Sequence, residues 1–282
     1  MIGLCGAASL DPNDHGRVAA DRMSQVFTES GGHALRSVRW NLPDLSCCLF
    51  YRESERLPCP DARLESVADS QPVTAFVFGN VCLPHRYDCT SKDPLLRAGT
   101  YIETSYSQGG VESLAGINGN WVAAIRDNAS ESFVLSRDPV GIQVLYYTLY
   151  GQLLCFATHL SAFLELGSAT QVDRTGVAQF LHFLYVPSPR TTFEGVSCVP
   201  VGKAVVMNRE GISFRPLHSR GRARYWKEKR GERAEIGAGE ALNTLDGMLT
   251  SAVLELTAPS GRTDFPERRE GLRQSMHRSV ED

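Results

Sequence analysis

Residues 114–127 read LAGINGNWVAAIRD, and within them Trp121, Ala123 and Ile125 alternate with Val122, Ala124 and Arg126. A period of two sends successive side chains to opposite faces of an extended chain, so the stretch predicts a β-strand with both faces apolar. Such a strand needs a cover on each side. ESFVLSRD (131–138) repeats the pattern, and QVLYYTLY (143–150) and LLCFA (153–157) flank Gly151-Gln152 as a tight hairpin.

Toward the amino terminus the signals are mixed. A strand is expected over Ile2–Ala8, a polar helix near Ala19–Thr28 and a strand over Leu45–Tyr51. A polar, turn-rich connection (52–72) leads to a strand that begins at Val73 and runs into Gly79-Asn80. Toward the carboxyl terminus, Asp173 is a good N-cap for a helix with Val177, Phe180, Leu181 and Leu184 at helical spacing, ending by Val186-Pro187. KAVVM (203–207) and ISFRP (212–216) predict another hairpin through Asn208–Gly211. The basic run Arg220–Arg233 reads as a solvated linker, and Leu242, Leu245, Leu249, Ala252, Val253 and Leu256 form one stripe of a last helix. The tail from Thr257 is polar. No internal repeat stands out.

The 282-residue chain has 42% hydrophobic residues and a net charge of −3, so it is an ordinary globular sequence with no whole-molecule field to draw in nucleic acid. Its eight cysteines are sparse, two are adjacent, and several sit in apolar strand-like runs where a thiol acts as a small hydrophobe. That usage points to a reduced, cytoplasmic setting rather than a disulfide framework. Neither cysteines nor histidines show metal-ligand spacing, so no metal is expected. No run of about 18 apolar residues suggests a membrane span.

The central motifs resemble the glutaminase domain of the asparagine synthetase family, the class II glutamine amidotransferases. LAGINGNWVAAIRD resembles that family's Leu-x-Gly-x-Phe-Ala-Phe-Ala-x-x-Asp strand, and SRDPVGIQVLYY (136–147) resembles its Ala-Arg-Asp-x-x-Gly-x-x-Pro-Leu-Tyr-Tyr segment. FLYVPSPRTTFEGVSCVPVGKAVVM (183–207) with ARYW (223–226) is similar to the end of the domain. The resemblance covers about Gly110–Trp226. It implies an α+β, N-terminal-nucleophile-hydrolase-like fold, a four-layer sandwich of two stacked antiparallel sheets between helices. The implied organisation is a glutaminase-like domain over 1–217, a basic linker over 218–237, the first helix of a truncated synthetase domain over 238–256, and a disordered tail over 257–282.

In that family an amino-terminal cysteine attacks the glutamine amide with the chain's own α-amino group as base. An Asn-Gly pair forms the oxyanion hole. Here the opening is Met1-Ile2-Gly3-Leu4-Cys5-Gly6, so Ile2 stands in the nucleophile's place and Cys5 lies three residues further along the strand, on the other face. Gly79-Asn80 has the oxyanion pair in reversed order. Asp93 and Arg39 are the candidates for the family's glutamine-holding aspartate and arginine. The family's ATP loop, Ser-Gly-Gly-x-Asp-Ser, has only Ser260-Gly261 as a counterpart, so neither ATP nor Mg is expected on this chain.

Two functions follow from these departures. One is a glutaminase-like domain without glutamine hydrolysis, acting as a scaffold or binding a separately encoded synthetase domain through the last helix. The other is a glutamine amidotransferase subunit in which a processed Cys5 releases ammonia from glutamine for an ATP-dependent partner.

Overall fold

The computed structural model describes residues 3–9, 15–29, 35–41, 44–52, 72–83, 94–167, 171–217 and 237–257. Eleven strands among them form two antiparallel sheets. The first sheet contains β1 (Gly3–Ser9), β2 (Leu35–Asn41), β3 (Leu45–Arg52), β7 (Tyr146–Tyr150), β8 (Leu153–Ala157) and β9 (Ser197–Cys198), in the order β2-β3-β1-β8-β7-β9. The second contains β4 (Val73–Val81), β5 (Gly119–Asp127), β6 (Ser132–Arg137), β10 (Lys203–Asn208) and β11 (Gly211–Pro216), in the order β11-β10-β6-β5-β4.

The alternation in 119–127 is what stacks the layers. Val122 and Ala124 join Phe76, Phe133, Leu135 and Val205 of their own sheet, and Leu4, Leu45, Leu154 and Phe156 of the other, in the core between the sheets. Trp121, Ala123 and Ile125 face the opposite way, into a second core against α2 (Pro94–Ser113), which contributes Ala98, Ile102, Tyr106 and Val111. On the far side of the first sheet, α1 (His15–Glu29) packs Ala19, Ala20, Met23 and Phe27 onto Cys5, Ala7, Cys48 and Cys155. The layers therefore run helix, sheet, sheet, helix, as the α+β four-layer sandwich requires.

The hairpin across Gly151-Gln152 forms as expected, with Gly151 in the left-handed region at φ 63°. Asp173 caps α3 (Arg174–Phe183), accepting hydrogen bonds from the Thr175 and Gly176 backbone N–H groups at 2.9 and 3.0 Å. That helix stops three residues before Val186-Pro187, because Leu184 takes the left-handed conformation at φ 63° and closes the last turn onto Phe180.

The chain divides into two compact units, residues 1–233 and 234–282. The described part of the second unit contains one helix, α4 (Ala238–Thr257). The expected linker (218–237) lies outside the described residues except Gly237, and the expected tail (257–282) except Thr257. No described helix is long and apolar enough to cross a membrane.

Candidate functional site

One ion pair between the sheets defines the two ends of the sandwich. Arg126 Nε lies 2.8 Å from the carboxylate of Asp44, whose backbone carbonyl accepts from Ser9 N at 2.8 Å. Arg126 is opposite Thr74 near the start of β4, and Ser9 ends β1. The beginning of β1 and the end of β4 therefore lie toward the other end of the sandwich, and the two strands are in contact.

At that mouth Asn80 pairs with Asn120, and both continue the rows of Phe76, Phe78, Val122 and Ala124 that face between the sheets. Asn80 is exposed and Asn120 half-buried. The preceding Gly79 has φ 107°, and a Cβ there would collide with the Asn120 carbonyl oxygen. Gly79 is thus required by the β4–β5 ladder itself, whatever else the turn does. An exposed and a half-buried amide at the edge of the core between the sheets offer donors and acceptors to a polar ligand.

The start of β1 is held by Thr158. Leu4 N donates to Thr158 Oγ1 at 3.0 Å, and Thr158 N donates to the Leu4 carbonyl at 2.9 Å. Gly3 has no room for a side chain, since a Cβ would meet Phe27 and Thr158. Gly6 is filled from across the sheet, where a Cβ would lie 2.5 Å from the Phe156 ring and 2.6 Å from the Ser46 carbonyl. Ile2, which the sequence puts in the nucleophile's place, lies outside the described residues.

Cys5 is placed on the other face of β1 from Leu4. It is fully buried beneath α1 in a row that crosses the whole sheet: Arg39, Cys48, Cys5, Ala157, Tyr146, Cys198. Its thiol is held well above the ordinary thiol range, first by the hydrogen bond it donates to Cys48 and then by burial. Cys48 moves the other way. The bond from Cys5, and then the nearby Arg39 guanidinium, lower its pKa against the opposing effect of burial. Arg39 also pairs with Asp21 of α1. The structure thus brings Cys5 and Arg39 together around Cys48 on the helix-facing side of one sheet, and sets Gly79 and Asn80 at the mouth between the sheets. Asp93 lies outside the described residues. Among the described residues no group of three or more His, Cys, Asp or Glu side chains could hold a metal ion.

The segment after β6 is built as a rigid corner. The buried Asp138 carboxylate accepts from the backbone N–H groups of Gly141, Ile142 and Gln143 at 2.6, 2.9 and 2.9 Å. Arg137 donates to the Gly141 carbonyl, to the Val199 carbonyl at 3.3 Å and to Cys198 Sγ at 3.1 Å. These contacts tie SRDPVGIQVLYY to the β9 segment and explain why Arg137, Asp138 and Gly141 occur together. The Asn80–Asn120 pair and the Cys48–Arg39–Asp21 cluster are not legible in the sequence, because both depend on strand register.

Comparison with known proteins agrees with the central motifs. Residues 100–226 match the family described as "Glutamine amidotransferase domain". A curated relative, asparagine synthetase [glutamine-hydrolyzing] 1 of Bacillus subtilis (strain 168), is 30% identical over 81 residues, which take in 28% of this chain and 13% of that enzyme. Glutamine phosphoribosylpyrophosphate amidotransferase from B. subtilis, solved with ADP and GMP, is similar over 76% of this chain and 49% of its own, at 11% identity and a TM-score of 0.46. A structure titled the allosteric regulatory enzyme of purine biosynthesis is similar over the same shares, at 13% identity and a TM-score of 0.46. The match to the curated relative covers about an eighth of that enzyme, and those to the solved structures about half of each.

Proposed function

We propose, from the premise that residues 100–226 carry a glutamine amidotransferase domain of the asparagine synthetase kind, that this chain keeps the domain's framework without glutamine hydrolysis and serves as a scaffold for a partner. The observation that supports this reading is the position of Cys5. A glutaminase needs its thiol beside the oxyanion donors, with a base at hand. Cys5 is fully buried under α1, on the face of β1 turned away from the space between the sheets whose edge Asn80 borders, with its pKa raised.

The partner that fits this reading is an ATP-using synthetase domain. Leu242, Leu245, Met248 and Leu249 of α4 are each more than half exposed and would supply an apolar face for it. The second reading, a glutamine-hydrolysing subunit that feeds ammonia to such a partner, is favoured by the family match over residues 100–226.

Glutamate release from glutamine by the purified full chain separates the two readings, with intact mass taken on the same sample. The expected result is release no greater than the blank. Release that disappears in Cys5→Ala, from a chain whose mass shows a processed amino terminus, would overturn the proposal and establish the second reading.

A further inference from the structure

The helix-facing row of the first sheet contains two thiols in direct register. Cys5 of β1 is opposite Cys48 of β3, and Cys48 is in turn opposite Arg39 of β2. Directly opposed residues on antiparallel strands have Cα atoms about 4.5–5.5 Å apart, whichever kind of pair they form. That range falls inside the roughly 4.4–6.8 Å that a disulfide spans. Both thiols are free, and Cys5 already donates a hydrogen bond to Cys48.

We propose that Cys5 and Cys48 form a redox-modification site, in which a hydroperoxide oxidises Cys48 and Cys5 resolves it to a cross-strand disulfide.

Three features divide the roles between the sulfurs. Cys48 sits between a thiol donor and the Arg39 guanidinium, and its pKa is lowered, so it holds the larger thiolate fraction and attacks first. Cys5 keeps its proton at neutral pH, which suits a resolving thiol. Arg39 and its ion-pair partner Asp21 are each 42% exposed, so the charged groups bordering Cys48 are themselves open to solvent, while Cys48 is only 1% exposed. Cys155 is the internal control. It lies in the same core, but burial alone acts on it and pushes its pKa up to about 12.

The chemistry balances. The Cys48 thiolate attacks one peroxide oxygen, an S–O bond forms and the O–O bond breaks, and the departing hydroxide takes a solvent proton to become water. Cys48 is now a sulfenic acid, oxidised by two electrons. Cys5 Sγ then attacks Cys48 Sγ, the S–S bond forms as the S–O bond breaks, and the hydroxide leaves as water with the Cys5 proton. Two thiols and one hydrogen peroxide give one disulfide and two waters.

The test uses the full chain, reduced, treated with hydrogen peroxide and then alkylated for intact mass and peptide mapping. One disulfide joining Cys5 to Cys48 is expected, reversed by dithiothreitol, with Cys155 alkylated throughout. Arg39→Gln is expected to slow its formation on the order of tenfold at neutral pH, because the attacking sulfur loses a guanidinium that favours its thiolate. In Cys5→Ala, Cys48 is expected to accumulate as a sulfenic acid that dimedone captures. A disulfide between other cysteines, oxidation of Cys155 ahead of Cys48, or no thiol loss in the wild-type chain would each overturn the proposal, and the wild-type map decides even if a variant does not fold.

Discussion

The corner after β6 and the first strand of the chain are held by different means. At the corner, the family-like residues Arg137, Asp138 and Gly141 all take part in one network of backbone and side-chain hydrogen bonds. In β1 the family-like glycines are tied to packing, Gly3 against Phe27 and Thr158, Gly6 against Phe156. The only described thiol of that strand points into the α1 core and not into the core between the sheets. Both regions therefore preserve what the sandwich needs in order to close. They differ in that the corner is held by charged side chains, whereas the described thiol of β1 lies beneath α1 as part of a packed core.

If packing explains the first strand and hydrogen bonding the corner, their variants should rank accordingly. Asp138→Ala should cost the most. Three backbone N–H groups lose the buried carboxylate that they share, a loss of about 3 kcal/mol. Urea denaturation measures it, and a loss below about 1 kcal/mol would show that the corner is not held by this carboxylate. Asp138→Asn keeps one acceptor oxygen and should fall between wild type and Ala.

Gly6→Ala comes next, at about 1–3 kcal/mol, because the new methyl must displace the Phe156 ring or the Ser46 carbonyl. Gly151→Ala is its foil. Nothing lies near that Cβ and only the left-handed backbone opposes it, so about 1 kcal/mol is expected. Equal losses at the two glycines would mean that backbone conformation, not close packing, fixes glycine in β1.

Cys5→Ala removes one sulfur from a filled core and should cost about 1–2 kcal/mol by the same denaturation measurement. It should leave the chain folded, with circular dichroism like wild type. A loss above about 4 kcal/mol would mark the Cys5–Cys48 contact as more than packing.

The parts of the fold that were legible are those whose signal is local. Period-two alternation in 119–127, Gly151 between two apolar runs and Asp173 before an apolar period each act within a few residues, and each formed as expected. Two elements were not anticipated. β2 reads LRSVRWN, with Arg36 and Arg39 breaking any simple alternation, and its place is set by pairing along the length of β3. α2 is rich in Ser, Thr and Gly, weak helix formers, and is broken at Gly110. Ala98, Ile102 and Tyr106, buried at four-residue steps, mark its inner face. The candidate site was less legible than the fold because its geometry is a matter of which face a strand presents. Sequence spacing placed Cys5 on the opposite face from Leu4, but its bond to Cys48 and the Asn80–Asn120 pair appear only when strands from distant parts of the chain are set in register.

That unanticipated helix carries the smallest expected effect. β4 is the edge of its sheet, and Glu103 of α2 accepts the outward backbone N–H of Ala75 at 2.8 Å, which protects the edge. Burial raises the Glu103 pKa above its ordinary 4.5, against the lowering effect of the Ala75 hydrogen bond. The folded chain therefore holds this proton more tightly than the unfolded chain, so the group's contribution is fully present below the unfolded pKa and declines as pH rises through the folded value. Glu103→Gln keeps an oxygen for Ala75 and has no charge to bury. Its stability relative to wild type should improve from pH 4 to pH 7, as thermal melts at the two pH values would show. A relative stability that stays flat or falls over that interval would mean that the ionised carboxylate, not the neutral one, is what the edge strand requires.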